Sequence, residues 1–187
     1  MTPMKKIALI VACGLISGCL AQRLPTQDQR MVRFAVVQNT FEISRAGLAF
    51  IKSEAARNKQ TDRCVAATLA ESILAASVEG FRNDFDRIPA IAVDISPCIE
   101  TWGGLGEAER IGDLVTVMTQ SSLNMAEIYY VQVHGYTDEP DVCREAAKAL
   151  TTIRYMKGAI PVVVEELRAG NGAIGIPGQQ LAVEECS

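Results

Sequence analysis

"DVCREAAKALTTIRYMKGAIPVVVEEL", Asp141 to Leu167, is the stretch on which the fold turns. Its apolar residues Val142, Ala146, Ala149, Ile153, Met156, Ile160, Val163 and Leu167 are spaced by four and three without a miss. A helix closes one turn in about 3.6 residues, so this spacing lays them in a single stripe along one face. Pro161 removes one backbone donor, yet the stripe runs on beyond it, which predicts one kinked helix rather than two. Asp138 to Pro140 supply an acidic, proline-containing start.

Three earlier segments carry the same pattern. From Gly106 to His134 the stripe is Ile111, Val115, Met118, Met125 and Tyr129, and Gly135 follows as a natural stop. From Asp28 to Asn58 it is Phe34, Val37, Phe41, Leu48, Ile51 and Ala55, broken only by Ser44. From Thr61, a suitable N-cap, to Asn83 it is Val65, Leu69, Ile73 and Ala76, widened by Leu74, Val78 and Phe81. The short connection around Gln60 folds the second segment back on the first. These features predict an all-α, antiparallel (up-down) four-helix bundle over residues 28–187, with a long loop between helices 2 and 3 and a Gly-rich C-terminal tail. In the loop "IPAIAVDISPCIETWGG", Ile88 to Gly104, the residues Ile91, Val93 and Ile95 alternate as a strand would. With no second alternating segment to pair with, the loop is expected to cross over the end of the bundle, pinned by Trp102. No internal repeat, low-complexity tract or second domain is evident.

The chain opens differently. "KKIALIVACGLISGCLAQ", Lys5 to Gln22, has a basic start, an unbroken apolar run and small residues before each of two cysteines. That is the layout of a cleavable export signal. The stretch resembles bacterial lipoprotein signal peptides, whose lipobox sets an aliphatic residue three positions before the cysteine and a small one just before it. Both Ile10-Val11-Ala12-Cys13 and Ile16-Ser17-Gly18-Cys19 fit. Cleavage before Cys13 would leave only Ile7 to Ala12, short of the about 7 to 15 apolar residues such a region needs. Cys19 is therefore the expected lipidation site. A spanning helix, which needs about 20 apolar residues, is disfavoured because Gln22 and Arg23 end the run early.

The resemblance implies residues 1–18 as signal peptide, Cys19 as the lipid-bearing first residue of the mature chain, and residues 19–27 as a tether. Leu20, where aspartate would signal retention, implies the periplasmic side of the outer membrane. Loss of the leader lowers Lys plus Arg from 18 to 16 against 22 acidic residues, a net charge of −6. Without a clustered basic face, a nucleic-acid partner is not expected. Export also makes the remaining thiols disulfide-forming. With Cys19 consumed, Cys64, Cys98, Cys143 and Cys186 make two bridges, and up-down geometry pairs Cys64 with Cys143 and Cys98 with Cys186. No Cys-x-x-Cys pair suggests zinc.

Chemistry is sparse. His134 is the one histidine, no Gly-x-Ser-x-Gly elbow occurs, and no Glu-x-x-His pattern marks a di-iron bundle. Asn83, Asp84 and Asp86 lack the other ligands of a calcium loop. Gly103, Gly104 and Gly106 precede a helix, where free amides favour anions, but no P-loop Lys-Ser or Lys-Thr pair follows. Neither a metal nor a cofactor is expected. Ser44, Ser72 and Ser122 fall on apolar stripes at similar height. They are read as small residues admitting close helix approach, with hydroxyls bonded one turn back, and alternatively as the lining of a small ligand cavity.

Tyr129, Tyr130, His134 and Tyr136 form the candidate partner or ligand surface, aromatic residues being enriched in such surfaces. The expected protein is thus a non-enzymatic envelope lipoprotein that binds another envelope protein. In broad architecture it resembles secretion-system pilotins, with a periplasmic small-ligand-binding bundle as the alternative.

Overall fold

The computed structural model describes residues 26–82, 87–88, 90–100, 103–170 and 172–180. The lipobox with Cys13 and Cys19, the tail cysteine Cys186, Trp102, and the Asn83, Asp84 and Asp86 run lie outside these residues. The chain divides into two compact units, Met1–Gln38 and Asn39–Ser187, and the strand pairings and nearly all of the buried apolar residues belong to the second.

The protein is mostly helical with a small antiparallel sheet component. In chain order the elements are α1 (Thr26–Arg57), α2 (Thr61–Arg82), β1 (Arg87–Ile88), β2 (Ile91–Asp94) and α3 (Ser96–Glu100). They continue with α4 (Ala108–Tyr136), α5 (Pro140–Arg168), β3 (Ala173–Ile176) and β4 (Gln179–Gln180). Helix α5 is a single element through Pro161, and its buried residues include seven of the eight stripe residues, Val142, Ala146, Ala149, Ile153, Met156, Val163 and Leu167. Pro140 stands in its first turn with Asp141 beside it, where a missing amide costs nothing and a negative charge meets the helix dipole.

Helix α1 stops by backbone wrapping. Lys59, at φ 55°, takes the left-handed conformation, so that its N–H reaches the Ala56 carbonyl and the N–H of Gln60 reaches that of Ala55. This is the Schellman arrangement, with lysine where glycine is usual. It turns the chain directly into α2.

Beyond α2 the chain departs from the expected loop. It pairs with its own tail in two short antiparallel ladders, Arg87 with Gln180 and Ile88 with Gln179, then Ile91 with Ile176 through to Asp94 with Ala173. Both ladders share one register. On the tail side the break between them falls at residues 177–178, where Pro177 has no amide hydrogen to contribute. The tail is therefore a strand rather than a loose glycine-rich extension. Ile174 and Ile176 are buried while Ala173 and Gly175 are exposed, the alternation of a strand with one covered face. The hydroxyl of Tyr155 on α5 donates to the Pro177 carbonyl and ties the tail further.

This ribbon changes the helix order. From Cys64 to Arg82 helix α2 advances about 27 Å at about 1.5 Å per residue, and β1 and β2, packed on α2, carry the chain back. Cys98 consequently meets Cys64, and the two form a disulfide with a Cα–Cα distance of 5.9 Å. The expected pairings of Cys64 with Cys143 and of Cys98 with Cys186 are both corrected: an extended return, not a loop over the far end, precedes α3. The amide of Gly106 then donates to Asp62 Oδ1 at 2.8 Å, so α4 begins beside the start of α2. Helices α2 and α4 run parallel where the up-down order has them opposed. Helix α5 returns antiparallel to α4, its last residue Arg168 pairing with Glu109.

The core lies where α2, α4 and α5 meet, filled by Leu69, Ile73, Leu74, Ile111, Leu123, Tyr130, Ile153 and Met156. Phe41, Leu48 and Ala55 of α1 are also buried. Polar residues enter only with their hydroxyls satisfied. Thr68, Ser77, Thr119 and Thr152 bond to the carbonyls of Cys64, Ile73, Val115 and Lys148, each one turn back. Gly112 permits the closest helix approach, since a Cβ there would stand 2.4 Å from Val164 Cγ2.

Candidate functional site

Two features stand out. The first is an open cleft of about 590 Å³ at the end of the molecule where α1 turns into α2 and α4 begins, lined in part by Lys59, Asp62, Arg63, Leu105, Arg110 and Leu114. Its centre is Asp62, 8% exposed. One carboxylate oxygen accepts the Gly106 amide and the other pairs with the Arg110 guanidinium. The glycine loop thus does direct an amide at an anion, but the anion is the protein's own. A Cβ at position 106 would lie 2.3 Å from Asp62 Oδ2, which explains the glycine. With a donor on each oxygen, Asp62 locks α4 to α2 rather than standing ready as an acid or base.

The second feature is apolar. Ile43 and Phe50 on α1, with Val117, Met125, Ile128 and Val131 on α4, are each between 49% and 73% exposed. The contact that fixes these helices is Ser44 Oγ to Ser122 Oγ, 2.5 Å apart. At about 100° of rotation per residue, Ile43 and Phe50 lie some 100–120° round α1 from Ser44. Met125, Ile128 and Val117 lie about 60–140° round α4 from Ser122 in the same sense. Because α1 and α4 run antiparallel, equal rotations bring both rows to one side of the contact. The result is a continuous face across two helices. Helix α4 carries no charged residue from Leu114 to Ala126. Glu127, next in the chain, turns to α5 and pairs there with Lys157 and, at 3.8 Å, Arg154.

The sequence-predicted surface residues do not converge. Tyr130 is buried at 1% exposure and meets Tyr129 edge-on, ring centroids 5.2 Å apart. Tyr136 and His134 are exposed, but one helical turn separates His134 from Tyr130 and two separate Tyr136 from Tyr129, on different sides of α4. Of the serine trio, Ser44 and Ser122 meet. Ser72 bonds instead to the Thr68 carbonyl, and Ser44 also bonds one turn back, to Thr40 at 2.9 Å.

Met125 is the residue whose reading the structure reverses. Its spacing assigns it to the buried stripe, yet Thr119, Ser122 and Ala126 occupy the core side and Met125 faces solvent. The inward side mixes small residues with Ile111, Val115, Leu123 and Tyr130, so it is filled without Met125. The outward repeat, Val117, Ile128 and Val131, is present in the sequence but is concealed when every large apolar residue is assigned to the core.

Among the described residues no group of three or more His, Cys, Asp or Glu could hold a metal ion, and no helix is long and apolar enough to cross a membrane. No family model, curated protein or solved structure matches this chain.

Proposed function

We propose that the chain is a bacterial envelope lipoprotein, fastened through lipid on Cys19, that acts by binding another envelope component and not by catalysis. The observation that carries the binding function is the apolar face of α1 and α4. The five side chains on the shared side, Ile43, Phe50, Val117, Met125 and Ile128, present on the order of 600 Å² of apolar surface, at the upper end of the about 300–600 Å² of the largest patch on a typical monomer. A soluble domain keeps such a surface when something covers it. The lipobox of Ile16-Ser17-Gly18-Cys19 supports the address, and the Cys64–Cys98 bridge suits an oxidising compartment.

On this reading the four long helices form a four-helix bundle in which the β ribbon replaces a bundle loop and inverts the order of α4 and α5. Cys143 is itself disulfide-bonded, its partner lying outside the described residues. It sits at the start of α5, the end to which β1 brings β4, and Cys186 is the cysteine six residues beyond β4.

Crosslinking in intact envelopes, followed by co-purification, tests the function. The wild-type chain should yield a specific crosslinked adduct, with a second copy of itself or with a different envelope protein, that the Ile43→Lys/Ile128→Lys variant does not. Recovery of uncrosslinked monomer alone from both would overturn the reading.

A further inference from the structure

We propose that the occupant of the α1/α4 face is a second copy of this chain, joined about a two-fold axis parallel to the helices. The inference rests on the binding role just proposed and specifies its partner. Three observations carry it. The first is area: a stable interface buries about 800 Å² on each partner, and this face supplies most of that as apolar surface before any rim is counted.

The second is register. Ser44 opposite Ser122 sets which residues of the antiparallel helices stand level. At about 1.5 Å per residue, Phe50 lies within about 2 Å of the height of Val117, and Ile43 is level with the turn Ser121–Met125. A two-fold axis along the helices preserves height while setting α1 of one copy against α4 of the other. Phe50 then meets Val117 of the partner subunit. Ile43 meets the turn holding the small residues Ser121 and Asn124, with Met125 at its edge. Each contact occurs twice, as an isologous interface requires.

The third observation is charge. The chain is acidic overall, and the row of Ile43, Phe50, Val117, Met125 and Ile128 carries no charge, the Glu54 carboxylate one turn beyond Phe50 being paired with Arg57. Pairing through this row sets no like charges of the row opposite one another. The same axis points α1 in one direction in both copies, so two chains tethered to one membrane can associate without either turning over.

The test replaces Phe50 with the photo-crosslinking residue p-benzoylphenylalanine in the full chain, irradiates intact cells, and reduces the sample before electrophoresis. The expected product is an adduct of twice the chain mass whose linked peptide maps to α4 between Val117 and Val131. Ile128→Lys in the same chain should reduce it at least tenfold while leaving the thermal unfolding midpoint unchanged, since the residue is exposed. An adduct with a different protein would overturn the homotypic pairing and leave the binding role standing. A chain that forms no adduct of higher mass would overturn both.

Discussion

Ser44 donates its hydroxyl hydrogen to the Thr40 carbonyl and so accepts the one from Ser122, a directed contact that sets α1 against α4. Ser122 is 1% exposed, and removing its hydroxyl takes away the donor that Ser44 accepts. Ser122→Ala should cost about 0.5–1.5 kcal/mol, read from urea unfolding. Ser44→Ala in the same chain should add less than its separate effect. Full additivity would show that the two hydroxyls act independently.

The helix turn gives a prediction of opposite sign. Lys59 holds φ 55°, a conformation that a Cβ opposes and glycine does not. Lys59→Gly should raise stability by about 0.5–1 kcal/mol. A loss would mean that the lysine side chain contributes more in the cleft than its backbone costs.

Close packing makes a third. Gly112→Ala would drive a methyl into Val164 and should cost about 1–3 kcal/mol. Val164→Ala in that background should recover part of the loss, because the clash is with that side chain. Equal loss in both backgrounds would place the strain elsewhere.

Legibility in the sequence varies by element. Helix α5 is readable because its stripe, set by residues spaced three and four apart, allows one rotation only. Helix α4 is not, since Met118, Met125, Ile128 and Val131 offer several apolar sides, and only the Ser44 contact and the packing at Gly112 choose between them. The strand in the tail has the form Ala173-Ile174-Gly175-Ile176, a period-two signal four residues long. Its partner lies some eighty residues away, and local periodicity does not register a pairing of that range. The misplaced disulfide stems from this omission, because the return strand is what brings Cys98 to Cys64.

Electrostatics add a pH signature. Glu109 on α4 has its carboxyl held below the ordinary glutamate range, chiefly by the hydrogen bond from Arg168, whose own pKa is raised in return. A carboxylate lowered in the folded state stabilises that state above its unfolded pKa and loses the contribution as pH falls through the folded one. The pair is solvent-exposed, so salt should weaken the effect. In an NMR titration Glu109 should show a depressed midpoint, and Arg168→Gln should return it to the ordinary range. An unmoved midpoint in the variant would assign the shift to another group.

Export and lipid attachment are tested most directly by mass spectrometry of the chain purified from envelopes under non-reducing conditions. The mature protein should begin at acylated Cys19, with one peptide pair joining Cys64 to Cys98 and another joining Cys143 to Cys186. A chain that keeps its leader with a free thiol at position 19, or any peptide joining Cys64 to Cys143, would contradict this.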